Sequence, residues 1–259
     1  MRAGLLPRLW REPERCLVTG SGDASARLWD LRAGDPSAAA IVLLGHEAGI
    51  TALAMSSDSR WLVTGSADTT ARLWDLSAAD PSASPVVLRG HESSINAVAI
   101  SPDNHWLVTG SADATAWLWD LTAPDPSASP VVLRGHEGEI AAVAISPDNH
   151  WLVTGGGDFT SGGDATARLW DLTAPDPSAS PVVLRGHGDG INAVAISPDN
   201  HWLVTASSDN TARLWTLRLD ELVDLACQTA GRNLTRAEWE QYLPGEAYRK
   251  TCEQWPEGE

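Results

Sequence analysis

Histidine is the first residue type to weigh for chemistry, because imidazole ligates metals and moves protons near neutral pH. The chain has seven. Four follow a glycine, at Gly45-His46, Gly90-His91, Gly135-His136 and Gly186-His187, in steps of 45, 45 and 51 residues. The other three, His105, His150 and His201, recur in Asn-His-Trp turns. A metal centre needs ligands converging within about 2–2.5 Å of one point. Histidines spaced this regularly fall in separate structural units, so no metal is expected, and the Asn-His-Trp histidines read as solvated turn residues. Residues 155–164 read Gly-Gly-Gly-Asp-Phe-Thr-Ser-Gly-Gly-Asp. Glycines of this kind can cradle phosphate, but no helix signal follows and the first nearby cation is Arg168. A Walker A loop needs Gly-Lys-Ser/Thr. Lys250, the one lysine, precedes Thr251 but follows Arg249. With no kinase loop or Cys–His protease pair visible, no catalytic residue and no cofactor are expected.

The elements that would position these residues show in the repeat itself. A tryptophan recurs at Trp29, Trp74, Trp119, Trp170 and Trp215, and the first four are followed by Asp. Residues 120–155 and 171–206 differ at five of 36 positions, as recent duplicates would. Within one unit, Val131-Val132-Leu133 is short, β-branched and bounded by Pro130 and Gly135, hence a strand. Ile140 to Ile145 is a second strand, stopped by the turn cluster Ser146-Pro147-Asp148-Asn149. Trp151 to Thr154 is a third, and Ala167 to Trp170 a fourth. Four short strands in about 45 residues, with no room for a helix, predict one blade of a β-propeller.

Composition bounds the rest. The 259 residues are 43% hydrophobic, enough for a sizeable core, with 13 Trp but one Phe, two Tyr and two Met. The net charge of −16 disfavours nucleic acid and anionic membrane surfaces as partners. Arg supplies 17 of the 18 basic residues, so cationic contacts can be forked. Cys16, Cys227 and Cys252 make no disulfide framework at this length. No run approaches the roughly 20 apolar residues of a membrane span, and residues 1–10 hold no signal-peptide core. A cytoplasmic location is expected.

The Gly-His and Trp-Asp signatures at this spacing resemble the WD-repeat family, over roughly residues 15–216. That resemblance implies an all-β fold, a WD-repeat β-propeller of about five repeats: three complete blades over residues 50–185 and a partial one at each end. It also implies a hydrogen-bonded tetrad in each blade. By position these are His46, Thr64, Asp68 and Trp74; His91, Thr109, Asp113 and Trp119; and His187, Thr205, Asp209 and Trp215. In the remaining copy His136, Thr154 and Trp170 are present, but six extra residues leave either Asp158 or Asp164 as the acid. A Thr–His–Asp set invites a hydrolase reading. Its recurrence in every blade, where an active site is built once, argues for structure instead.

Residues 1–14 read as a damaged or truncated first-repeat start, 15–216 as the blades and 217–259 as a short α-helical C-terminal tail. Leu222, Val223, Ala226 and Cys227 lie near helical spacing, and Thr235 with Glu238 forms a capping-box pattern. This tail resembles the closing segment of bacterial multidomain WD-repeat signalling proteins. That implies a second reading: the sensor portion of a larger protein whose NTPase, kinase or protease-like effector is not encoded here. Cys227 and Cys252 can pair, but free buried thiols suit the cytoplasm better.

The first reading is a non-catalytic scaffold. In the family, partners meet the face formed by the loop after Gly-His and the hairpin carrying the tetrad Asp. Near-identical copies diverge there: four of the five differences between residues 120–155 and 171–206 fall at positions 137–141. Candidate partner-binding residues are Glu47, Glu92, Ser93, Asn96, Glu137, Glu139, Asp189 and Asn192, with Phe159 and Trp117 as apolar anchors. The acidic side chains favour a basic protein or peptide.

Overall fold

The computed structural model describes residues 16–157, 164–218, 231–233, 235–238, 250, 252 and 256. Strands alternate outward and inward side chains, and here both faces are apolar. In Ala71-Arg72-Leu73-Trp74, Ala71 and Leu73 point one way and Trp74 the other, and all three are buried. Such strands demand a sheet covered on both sides. The chain answers with a row of five antiparallel sheets.

The first sheet is β1 (Cys16–Gly20), β2 (Ala26–Asp30) and β3 (Ile41–Leu43). The second is β4 (Ile50–Met55), β5 (Trp61–Ser66), β6 (Ala71–Asp75) and β7 (Val86–Leu88). The third is β8 (Ile95–Ile100), β9 (Trp106–Ser111), β10 (Ala116–Asp120) and β11 (Val131–Leu133). The fourth is β12 (Ile140–Ile145), β13 (Trp151–Gly156), β14 (Ala167–Asp171) and β15 (Val182–Leu184). The fifth is β16 (Ile191–Ile196), β17 (Trp202–Ser207) and β18 (Ala212–Thr216). Strand order follows chain order, and β4, β8, β12 and β16 stand side by side along the inner edge.

Three four-stranded sheets with a three-stranded one at each end match the expected blade count. The boundaries differ from the sequence unit in one respect. The strand that opens each repeat, such as Val131–Leu133, pairs with β10 of the preceding repeat and not with β12. The physical reason is the connection after it. Gly135 adopts φ +131°, and the left-handed glycine turns the chain away from its own sheet into the next one.

Every sheet-to-sheet join has the same composition. Val63, Ala71, Leu73 and Leu88 of the second sheet pack on Ile95, Leu107, Trp119 and Leu121 of the third. Val108, Ala116, Leu118 and Leu133 meet Ile140, Leu152, Trp170 and Leu172 in the same way. Fully burying one such side chain is worth about 1.5–3 kcal/mol, so apolar contact holds the row together and polar contacts set its register. At the inner edge Thr51 donates to the Ile95 carbonyl, and Asn96 Nδ2 to the Ile140 carbonyl at 3.4 Å. At the opposite end of the strands, Asn side chains link the turns. The Ser57, Asp103 and Asp148 amides donate to Oδ1 of Asn104, Asn149 and Asn200 at 3.1, 3.2 and 3.4 Å.

The row does not close into a ring. Leu214 of β18 is 58% exposed, whereas Leu28, Leu73, Leu118 and Leu169, which hold the same place in the other sheets, are at most 8% exposed. At the other end Leu17 of β1 is 48% exposed, against at most 1% for Leu62, Leu107, Leu152 and Leu203.

The α-helical tail is not supported. Past residue 218, only 236–238 of the described residues are helical, less than one turn. What stands there is local: Thr235 and Glu238 exchange the two capping-box hydrogen bonds, at 2.9 and 3.2 Å, and Arg232 grips Glu238 with two bonds of 2.7 Å. The helix expected around Leu222, Val223, Ala226 and Cys227 lies outside the described residues, as do residues 1–15. Cys252 is buried and disulfide-bonded, not the free thiol expected. Its backbone is clamped to the buried Asn233 side chain, at 2.7 and 3.1 Å, which holds the cysteine in one place. Cys227 lies outside the described residues. Cys16 is free, and burial, then the nearby Asp30, pushes its thiol up to about 11.

Candidate functional site

Antiparallel order puts the loop after Gly-His and the hairpin carrying the tetrad acid on one edge of the row. The Asn-His-Trp turns and the Pro-rich loops fall on the other. The first edge is built around four repeated hydrogen-bond sets. Trp74 Nε1 donates to Thr64 Oγ1 at 3.1 Å, Thr64 Oγ1 meets His46 Nε2 at 2.7 Å, and His46 Nδ1 meets Asp68 Oδ2 at 2.8 Å. Trp119, Thr109, His91 and Asp113 repeat this at 3.0, 2.8 and 2.8 Å. Trp215, Thr205, His187 and Asp209 do so at 3.0, 2.8 and 2.9 Å. In the fourth sheet Trp170 and His136 lie 3.0 and 2.7 Å from Thr154 Oγ1, and the acid on His136 Nδ1 is Asp164. The extra residues are thus accommodated ahead of Asp164. Asp158 and Phe159 lie outside the described residues.

Proton positions follow from these partners. Burial alone would raise the Asp68 carboxyl, but bonds from Thr70, the Glu47 amide and His46 outweigh it and hold the group near 2. An ionised carboxylate only accepts, so His46 Nδ1 carries the proton. Nε2 is then bare and accepts from the Thr64 hydroxyl, whose oxygen accepts from the indole. Burial, partly offset by Asp68, lowers the His46 pKa, and His91 behaves alike with Asp113. The neutral imidazole is therefore the resident form. A Thr–His–Asp relay has the connectivity of a hydrolase, yet Thr64, Thr109, Thr154 and Thr205 are all fully buried and capped by an indole. A substrate has no path to the hydroxyl.

What the relays do is hold a rim. A second bond to the same Oδ2 of each acid fixes the loop after histidine: the amides of Glu47, Glu92, Glu137 and Gly188 donate to Asp68, Asp113, Asp164 and Asp209 at 2.9, 2.9, 3.1 and 2.9 Å. The Glu47, Glu92 and Glu137 side chains are left exposed. Gly45 precedes the first of these histidines with φ +146°, and a Cβ there would sit 2.6 Å from the Arg72 guanidinium, which donates to the Gly45 carbonyl at 2.6 Å. The backbone conformation requires glycine.

Several candidates are engaged in contacts within the fold. Asn96 donates to Glu139 Oε2 at 3.0 Å, so this pair bridges the third and fourth sheets. Asn192 is exposed and bonds Ser208 Oγ at 2.9 Å. Half-buried Ser93 lends its carbonyl to Ser111 Oγ at 3.1 Å, and the Asp189 carbonyl accepts from Ser207 Oγ at 2.8 Å. Trp117 is half-buried, lies 5.1 Å from the His91 ring and 5.4 Å from Trp119, and spends its N–H on Thr115 Oγ1 at 3.0 Å. It covers Gly90 as Arg72 covers Gly45. The rim also carries exposed Arg89, Arg134 and Arg185, so the edge is mixed in charge where the loops alone suggested an acidic one. Between the fourth and fifth sheets Glu137, Asp164, Arg168, Arg185 and His187 line a groove of about 220 Å³.

On the other edge, the turn histidines are more ordered than the sequence implied. His105, His150 and His201 stack on Trp106, Trp151 and Trp202 at 4.5, 4.3 and 4.4 Å, nearly parallel. His105 and His150 also reach Asp120 and Asp171 at 3.4 Å. The adjacency of His and Trp in sequence was the available signal. Among the described residues no cluster of metal-ligating side chains occurs, and no helix is long and apolar enough to cross a membrane.

The sequence matches the family described as WD domain, G-beta repeat, over residues 39–75, 83–120, 128–171 and 179–216. The matches cover more than half of the chain, which belongs to the WD-repeat family. Similar curated proteins include Target of rapamycin complex subunit LST8 of Saccharomyces cerevisiae, 37% identical over 60 residues, 22% of this chain and 19% of that protein. Guanine nucleotide-binding protein subunit beta of Zea mays is 36% identical over 76 residues, 29% of this chain and 20% of that one. Striatin-4 of Homo sapiens is 37% identical over 65 residues, 22% and 9%. The chain thus spans about a fifth or less of the length of these relatives.

Proposed function

We propose that the chain is a non-catalytic scaffold that binds a protein or peptide on the rim beside the tetrads. The observation that carries this is the anchoring of Glu47, Glu92 and Glu137. Each is exposed at its side chain and fixed at its amide by a buried carboxylate, so three equivalent acids are presented without the usual cost of ordering a loop. Divergence of the loops between near-identical copies fits the same role. The acids favour a partner with basic side chains.

The matched family is not a catalytic one, and the buried relays give no nucleophile an exit. The test is capture of partners by the full chain at graded salt. The combined variant Glu47→Lys, Glu92→Lys and Glu137→Lys is compared with Asp125→Lys and Asp176→Lys on the opposite edge. The rim variant should lose bound proteins and their salt dependence while the control keeps both. Equal capture by the two variants refutes the assignment of this edge.

A further inference from the structure

The third sheet departs from its neighbours at one strand position beside the rim. Arg27, Arg72, Arg168 and Arg213 stand at equivalent places in β2, β6, β14 and β18, where β10 has Trp117. In the second and fourth sheets the guanidinium lies over the glycine that opens the rim loop: Arg72 donates to the Gly45 carbonyl at 2.6 Å and Arg168 to that of Gly135 at 2.5 Å. In the third sheet the far edge of the indole lies over Gly90 instead. The loop there keeps its acid, Glu92, and the tetrad keeps Asp113. The third sheet thus has the carboxylates of its neighbours without their strand guanidinium.

The ring and the exposed acid are held by the same carboxylate. Trp117 Nε1 donates to Thr115 Oγ1 at 3.0 Å, and the Thr115 hydroxyl donates to Asp113 Oδ1 at 2.5 Å. The Glu92 amide donates to Asp113 Oδ2 at 2.9 Å. The indole has spent its one donor, so its half-buried ring offers an incoming group π surface. The ring quadrupole attracts a cation placed over it, and the exposed Glu92 side chain adds a full negative charge. The chain makes this combination within itself on the opposite edge, where Arg60 lies 4.5 Å over Trp61 and reaches Asp75 at 3.4 Å. Arg89, beside Gly90, does not play that part: among the described residues the cation seated over an indole is that of Arg60.

We propose that Trp117 and Glu92 form a subsite for one arginine side chain of a protein partner, with the guanidinium stacked on the indole and paired with the carboxylate. The subsite rests on the reading of this rim as a binding edge, and it makes the third sheet the one that selects among basic partners. Arginine suits it better than lysine, because a planar guanidinium stacks and forks at once whereas an ammonium is a point charge.

The probe is the peptide acetyl-Ala-Arg-Ala-amide, titrated into the full chain with isotope-labelled tryptophan and followed by the indole N–H signals in NMR. The same peptide with citrulline, equal in shape and uncharged, is its control. The Trp117 signal is identified by its loss in Trp117→Arg, a variant that takes the residue the other sheets use over this glycine; urea unfolding checks its fold. The arginine peptide should move the Trp117 signal and the citrulline peptide should not. Glu92→Gln, a change at an exposed side chain, should weaken the arginine peptide about two- to fivefold. Equal response to both peptides, response to neither, or unchanged affinity in Glu92→Gln overturns the subsite. If the combined Glu47, Glu92 and Glu137 variant loses its captured proteins while Trp117 is silent, the subsite falls and the rim reading stands. If that variant keeps them, both fall.

Discussion

Thr109→Val is the sharpest perturbation of the tetrad, because it changes shape hardly at all. Thr109 is fully buried, and its oxygen accepts from Trp119 Nε1 at 3.0 Å while lying 2.8 Å from His91 Nε2. Valine keeps the volume and the β-branched strand preference, so packing and propensity are held nearly constant. Two buried polar groups lose their partner at once, the indole N–H and the bare imidazole nitrogen. Each stranded group costs about 1–3 kcal/mol, set against a gain from replacing a hydroxyl by a methyl. The expected net loss is about 2–4 kcal/mol. Thr109→Ser keeps the hydroxyl and loses one methyl group, which costs about 1 kcal/mol. Urea unfolding followed by tryptophan fluorescence reads the difference, since the tetrad indole itself reports. If Thr109→Val unfolds within about 0.5 kcal/mol of wild type, or no worse than Thr109→Ser, the relay does not stabilise the sheet and the proton assignment fails with it.

Acid should unfold the chain in two stages. His46 and His91 titrate below their ordinary value of about 6.5 when folded. The unfolded chain then binds more protons in that window, and stability is lost as pH falls from about 6.5. Asp68, held near 2, contributes stability that is complete above about pH 5 and is lost as pH falls toward 2. Unfolding free energies measured from pH 8 to pH 3 check this; a flat profile from 7 to 5 would contradict the neutral, buried imidazoles. Thr69 holds φ +71° in the turn after the tetrad acid, where a β-branched side chain is strained. The same turn of the fifth sheet has Asn210 at φ +63°. Thr69→Asn should therefore stabilise by up to about 1 kcal/mol in the same urea assay, and a loss of stability would show that Thr69 is held by something other than its backbone.

Strand positions were legible because both faces of each sheet are apolar and the turns carry Pro, Asp and Asn at a fixed period. Ile140–Ile145 stands where the sequence placed a strand. The pairing of Val131–Leu133 with the sheet before it was not legible. Strand character is local, but the partner depends on where a left-handed glycine sends the chain. Asp164 and Asp158 are equivalent in composition, and only the folded hairpin brings one carboxylate onto His136. Asn96 and Glu139 read as free rim residues because a single repeat does not contain their contact; it spans two sheets. The Arg row escaped notice for the opposite reason. Charge was counted in the loops, while Arg89, Arg134 and Arg185 stand just before the glycines that open them.

The unit that recurs in the sequence and the unit that folds are out of step by one strand. A copied segment such as 128–171 therefore cannot make a sheet by itself: it closes the sheet before it and begins the one after. Splicing in another such segment finishes an existing sheet and supplies three strands of a new one, so the array lengthens with neither terminus rebuilt. Duplication then meets little structural resistance, which fits the near identity of neighbouring copies. Between residues 120–155 and 171–206 the differences are confined to positions 137–141 and to Ala206, which stands where the earlier sheets have Gly20, Gly65, Gly110 and Gly155.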